Sequence, residues 1–215
     1  MADVDFAVEA AEIEPYAAAP TLLFKLRAIN RTPEIVVQNV SLLCQFRIEA
    51  ARRKYAAADH ERLMELFGAT HRWSETLRSM LWTHTNVQVS GFAEDRLVDL
   101  PVECSYDFNV AATKYFYGLE GGDVPLTLLF SGTVFYRDAG GGPLQMDQIS
   151  WSKETSFRLP VQLWRDMMDL YYPNSSWLRV DRDVFDAIYR YKRDRGFTSF
   201  DAALLSLLQH KEIAS

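Results

Sequence analysis

A chain of 215 residues, 48% of them hydrophobic, is long enough to bury one substantial core. Its net charge of −6 counts against a general nucleic-acid binder, and no run of about 18 apolar residues offers a membrane-spanning helix. The N-terminus MADVDFAVEAAEIEPY is acidic and alternating, without the basic start and apolar middle of a signal peptide, so a cytoplasmic location is expected.

Period-two alternation dominates the chain before residue 160. Val4, Phe6 and Val8 form a first inward row, and Leu22, Phe24, Leu26 and Ala28 a second. Asn30-Arg31-Thr32-Pro33 supplies turn chemistry, so the next row, Val36 to Ile48, is expected to return as the second arm of a hairpin. The basic cluster Arg52, Arg53 and Lys54 then reads as a solvated strand end rather than a phosphate contact. Residues 59–79 lose the alternation and carry Leu63, Leu66 and Phe67 at helical spacing before Gly68, which predicts a short helical insertion.

Alternation returns over residues 81–90. Leu81, Thr83, Thr85, Val87 and Val89 are expected inside, and Trp82, His84, Asn86, Gln88 and Ser90 outside. From Val98 through Leu100, Val102, Cys104, Tyr106, Phe108 and Val110 the pattern predicts a long strand, and residues 111–119 a short helix. Leu126 to Tyr136 make another strand, with Gly132 marking a bulge, and a return strand carries Ile149, Trp151, Thr155, Phe157 and Leu159 inward.

After Pro160 the period becomes 3.6. Trp164, Met168, Tyr171 and Tyr172 stripe one helix, ended by Pro173. Asp181 is placed to cap a second helix with Val184, Phe185, Ile188 and Tyr191 inward, and Thr198 with Asp201 resembles a capping box opening a third. Strands followed by helices predict one α+β domain over 1–215: long antiparallel strands in a twisted sheet or small β-sandwich, a helical insertion at about 59–79, and three C-terminal helices over 161–210.

Chemical signatures are sparse. No P-loop or nucleophile-elbow motif occurs, the two cysteines, Cys44 and Cys104, read as small buried hydrophobes, and His60, His71, His84 and His210 lack metal-ligand spacing, so no cofactor or metal is expected. Two surfaces stand out as candidates for a partner or ligand. One is the row Trp82, His84, Asn86 and Gln88, able to hydrogen-bond and stack; its plain alternative is a solvated strand face. The other is the loop holding Tyr172, Asn174, Trp177 and Arg179, of residue types enriched at interaction hot spots, against the alternative that Trp177 fills a gap between elements.

The segments PYAAAPTLLFKL (15–26), LCQFRIEAARRKY (43–55), LWTH (81–84), LLFSGTVFYR (128–137) and PNSSWLRVDRD (173–183) together resemble an uncharacterised, largely actinobacterial protein family of unknown function. Its genes often lie near those of nickel–iron hydrogenases. The resemblance implies an accessory role in assembly, stabilisation or docking, with a hydrogenase subunit or maturation factor as partner, and it carries over no catalytic residue. The leading expectation is therefore a non-enzymatic binding or accessory protein, with homo-oligomerisation left open. The alternatives are a small-molecule-binding domain or enzyme with a site assembled from distant residues, and a holdase presenting an apolar surface.

Overall fold

Strand β1 (Val4–Ile13), β2 (Thr21–Asn30) and β5 (Asp95–Glu103) form one antiparallel sheet in the order β1-β2-β5. Strand β3 (Ile35–Ile48) lies between β4 (Met80–Phe92) and β6 (Asp123–Asp138) in a second sheet, and both β7 (Gln145–Gln148) and β8 (Glu154–Pro160) pair with β6. The computed structural model describes residues 2–105, 110–176 and 178–212, with side chains to Gln209. The chain divides into two units, Met1–Ser175 and Ser176–Ser215, each taken by itself below.

In the first unit the inward rows of both sheets meet as a sandwich. Phe6 of the first sheet lies 4.6 Å from Phe130 of the second, and Phe24 lies 4.8 Å from Phe46, ring centroid to centroid. Leu22, Phe24, Leu26, Leu42, Cys44, Phe46 and Ile48 are all buried, as their alternation requires. Each such side chain contributes on the order of 1.5–3 kcal/mol against the entropy of ordering the chain. The insertion between β3 and β4 contains three short helices, α1 (Ala57–Arg62), α2 (Met64–Phe67) and α3 (Trp73–Thr76). Helix α4 (Val110–Gly118) precedes β6, and α5 (Val161–Tyr171) follows Pro160, which holds the N-cap position. Rings connect these helices to the sheets: Phe116 lies 5.2 Å from Trp82 and stacks on Trp164 at 5.3 Å.

The second unit is a helix pair, α6 (Arg182–Asp194) and α7 (Phe200–Glu212). Helix α6 ends in a Schellman arrangement: Gly196 at φ +73° donates to the Arg193 carbonyl at 3.2 Å, and Phe197 N–H donates to the Lys192 carbonyl at 3.0 Å. The ring of Phe197 closes on Tyr191 at 5.7 Å, and Phe200 of α7 packs on Phe185 at 5.5 Å.

The α+β class, the long antiparallel strands and the C-terminal helices match the sequence reading; several local expectations do not. Strands β2 and β3 are not a hairpin but belong to different sheets. The turn chemistry serves a crossing instead: Thr32 N–H donates to Asn30 Oδ1 at 2.9 Å, while Asn30 Nδ2 donates to the carbonyls of Ile35 (3.0 Å) and Ala93 (2.8 Å). The strand expected to run to Val110 stops at Glu103, opposite Thr21 where its partner β2 begins; one further bond, from Cys104 N–H to the Pro20 carbonyl at 2.7 Å, closes the pair. Tyr106 and Phe108 lie outside the described residues, and Val110 opens α4.

The single return strand is two, β7 and β8, broken by a turn in which Lys153 N–H bonds the Ser150 carbonyl at 3.0 Å. Trp151, expected inside, is 92% exposed in that turn. Helix α6 buries none of its residues, so Val184, Phe185, Ile188 and Tyr191 are not a core stripe. Asp181 holds the N-cap position without a side-chain bond to the helix, and Ser199 rather than Thr198 caps α7, its Oγ accepting Ala202 N–H at 3.1 Å. Arg53 is not a free strand-end cation: it donates to the Asp123 carbonyl at 2.5 Å and to that of Gly121.

Candidate functional site

Strand β4 decides which candidate residues share a surface. Phe46 of β3 pairs with Thr83, but the next residue, Arg47, pairs with Leu81, so Trp82 is the extra residue of a β-bulge. A bulge shifts the alternation by one. Trp82 therefore turns inward and is 3% exposed among Phe24, Phe46 and Phe116, while Leu81 turns out at 55%. Trp82 leaves the expected polar row for the core. His84, Asn86 and Gln88 stay on the outer face, exposed and on one strand.

Those three continue into a wider face. Across β3 their partners are Gln45, Leu43 and Ser41, and across β6 the next residues are Leu129, Ser131 and Thr133. Gln88 Nε2 donates to Ser41 Oγ at 3.1 Å, and on β7 Gln148 Nε2 donates to Thr133 Oγ1 at 3.4 Å. Phe135 of β6 pairs with Met146 of β7, which is 69% exposed. None of these is a carboxylate, lysine or arginine; Arg47, paired with Leu81, and Glu154, paired with Leu129, border them. The outer face of the first sheet is built oppositely, from cations bridging carboxylates on both flanking strands. Lys25 meets Glu12 at 2.5 Å and Asp99 at 2.8 Å, and Arg27 meets Glu9 and Asp95, each at 2.5 Å. One face is laced with ion pairs; the centre of the other is amides, hydroxyls and apolar tips.

The second candidate set straddles the division of the chain. Tyr172 is half-buried and Asn174 exposed at the end of the first unit, the latter at φ +50°, the left-handed region that Asn tolerates. Arg179 is exposed in the second unit, and Trp177 lies outside the described residues. Neighbouring Tyr171 has a structural task, its hydroxyl donating to the Glu14 carbonyl at 2.5 Å.

Several buried groups able to do covalent or acid–base chemistry have structural roles or are masked by burial. Buried Asp59 accepts the Ala56 N–H at 3.0 Å and the Glu120 N–H at 2.8 Å, tying α1 to the approach to β6. The Tyr55 and Tyr115 hydroxyls lie 2.8 Å apart, and burial raises the pKa of both. Burial likewise pushes the Cys44 and Cys104 thiols up, away from the nucleophilic thiolate. Among the described residues no group of three or more His, Cys, Asp or Glu is placed to hold a metal ion. A cleft of about 290 Å3 is lined by Asp5, Arg31, Lys153, Glu154 and neighbours, and three of these charges already meet carboxylates or cations of the chain. Lys153 meets Asp3 at 2.6 Å and Asp5 at 2.5 Å, and Arg31 meets Asp5 at 2.7 Å. Hydrogen bonds from Lys153 and then Arg31 hold the Asp5 carboxyl below the usual aspartate value.

Sequence reasoning missed Trp151 and Met146. The pattern Ser150-Trp151-Ser152, whose two hydroxyls lie 2.9 Å apart, was the available turn signal.

The chain belongs to a family of unknown function, DUF6084, whose model matches residues 1–215. No curated protein matches it. Among solved structures it resembles a Bordetella pertussis protein assigned the name ApaA, at 9% identity and a TM-score of 0.28, over 74% of this chain and 94% of that one. A likeness at that level supports nothing about this chain's function. Among the described residues no helix is long and apolar enough to cross a membrane.

Proposed function

We propose that this member of the DUF6084 family is a non-enzymatic accessory protein that binds a protein partner through the outer face of its second sheet. The observation that carries the reading is the composition of that face. His84, Asn86, Gln88, Ser41, Leu43, Gln45, Ser131, Thr133, Phe135 and Met146 form an exposed or half-exposed patch free of carboxylates, lysines and arginines, bordered by Arg47, Arg137 and Glu154. The cores of protein interfaces are depleted in charge and enriched in aromatic residues and methionine. A face built only to be solvated is expected to resemble the first sheet, with its bridged cations.

The partner we propose is a subunit or maturation factor of a nickel–iron hydrogenase, the class implied by the family resemblance. The chain's own nickel or iron plays no part in this reading. The test is a titration of purified hydrogenase subunits and maturation factors against the chain and its Ser131→Lys/Thr133→Lys variant, which charges the centre of the face. Binding by the parent and its loss in a folded variant are expected. Equal binding by both would move the site elsewhere, and no binding by the parent would remove this partner class.

A second reading, a holdase, is favoured by the second unit. Val184, Phe185, Tyr189, Leu205 and Leu208 are all exposed on α6 and α7, and exposed apolar clusters of this kind mark interaction surfaces. Suppression of aggregation of an unrelated unfolding protein at stoichiometric ratios is its expected mark, and no suppression would dismiss it.

A further inference from the structure

The edge of a sheet exposes unpaired N–H and C=O groups, and proteins guard such edges with charge, proline, shortness or bulges. This chain guards its edges unequally. Strand β1 carries Asp5, Glu9 and Glu12; β5 carries Asp95, Arg96, Asp99, Pro101 and Glu103; β7 is four residues long; β8 carries Glu154, Arg158 and Pro160. Strand β4 is an edge of the second sheet, 13 residues long, with no acidic or basic residue other than His84 and no proline. Its bulge at Trp82 disrupts one end only. From Thr83 to Ser90 the ladder to β3 is regular, and among the described residues β4 pairs with no other strand.

The flank beside β4 is also open. Thr83, Thr85 and Val87 point inward yet are only half-buried, whereas their partners Phe46, Cys44 and Leu42 are fully or almost fully buried.

We propose that β4 is the pairing edge of a homodimer, in which two copies align β4 antiparallel across a twofold axis and join their second sheets into one. The strand is suited to meeting itself. A twofold sets residue i of β4 against residue j of the copy and j against i, so only a charge at or near the axis would meet its like. Strand β4 carries no carboxylate, lysine or arginine, and its threonine hydroxyls and the amides of Asn86 and Gln88 can both donate and accept across the axis. The chain's −6 charge does not block the approach, because the bridged acid clusters lie on the first sheet and the β3 residues facing Thr83–Ser90 of β4 include no acidic side chain. The contact is small, so the dimer belongs to the weak class, with a dissociation constant of roughly micromolar order. This goes beyond the proposed docking function, which uses the face of the sheet rather than its edge, and the two fail separately.

The test is sedimentation velocity of the full chain across a wide concentration range, beside the His84→Lys/Gln88→Lys variant and the β6 variant Ser131→Lys/Thr133→Lys. Hydrogen exchange of the parent at low and high concentration accompanies it. The expected result is a concentration-dependent dimer for the parent and the β6 variant, a monomer for the β4 variant, and slowed exchange at alternate amides of Thr83–Ser90 only at high concentration. A parent that stays monomeric into the hundreds of micromolar overturns the proposal. So does a dimer whose β4 amides exchange equally fast at both concentrations, whether or not the β4 variant folds.

Discussion

Replacing Trp82 by alanine tests the bulge and with it the composition of the outer face. Trp82 is 3% exposed and meets three aromatic rings, Phe116 at 5.2 Å, Phe46 at 6.1 Å and Phe24 at 6.2 Å. Truncating a buried tryptophan costs about 3–5 kcal/mol through lost transfer free energy and the cavity left behind, and its edge contacts place it in the upper part of that range. Against a typical stability of roughly 5–15 kcal/mol this is a large share. With a urea slope of about 2–3 kcal/mol per molar, the unfolding midpoint followed by near-ultraviolet circular dichroism falls by about 1.3–2.5 M. Leu81→Ala is the matched control, because Leu81 is 55% exposed and its truncation costs under about 1 kcal/mol. If β4 lacked the bulge, the order would invert, with Leu81 costly and Trp82 nearly free. That inversion would refute the assignment of faces on which the site rests.

Further outcomes follow from single positions. A methyl group at Gly132, which sits at φ +134°, would lie 2.0 Å from the Ser41 carbonyl oxygen, so Gly132→Ala is expected to abolish folding; Gly68→Ala, at φ +71° with open space around it, costs only about 1–2 kcal/mol. A folded Gly132→Ala protein with parental thermal stability contradicts the close β3–β6 approach. The Asp5 carboxyl is held below the usual aspartate value, so its contribution is fully present above the unfolded pKa, near pH 4, and lost as pH falls through the folded value. Asp5→Asn should therefore flatten the stability-versus-pH curve below about pH 4 and leave its shape near neutrality unchanged; an unaltered acid limb contradicts the Lys153 and Arg31 pairing. Cys44 and Cys104 are buried with thiols pushed upward, so neither should react with a disulfide reagent at pH 8 until the chain unfolds. Rapid labelling of native protein would place at least one of them at the surface.

What could be read before the structure was whatever depends on neighbours in sequence. The inward row of β2, that of β3 from Val40 and the stripe of α5 follow from period alone, and the buried set Leu22 to Ala28 and Val40 to Ile48 agrees with them; at the start of β3 the buried residues are Ile35 and Val37 rather than Val36. Pairing is a different matter, because it depends on partners distant along the chain. Nothing in Asn30-Arg31-Thr32-Pro33 distinguishes a hairpin from a crossing between sheets, since the same Asx geometry serves both. The bulge at Trp82 was invisible for a related reason: alternation is continuous through it, and only the ladder to Arg47 and Phe46 reveals the extra residue. The strand drawn too long through Cys104 ends opposite Thr21, where β2, a partner distant along the chain, begins. Of the candidate site, His84, Asn86 and Gln88 were legible as a row. Their continuation over Leu43, Ser131 and Met146 required the sheet order.

The most direct test of the accessory function is affinity capture of the tagged chain from its own host, grown so that hydrogenases are expressed, in parallel with the Ser131→Lys/Thr133→Lys variant. The account predicts enrichment of a hydrogenase subunit or maturation factor with the parent and its disappearance with the equally folded variant. A hydrogenase component retained by both, or no protein distinguishing parent from variant, would contradict it.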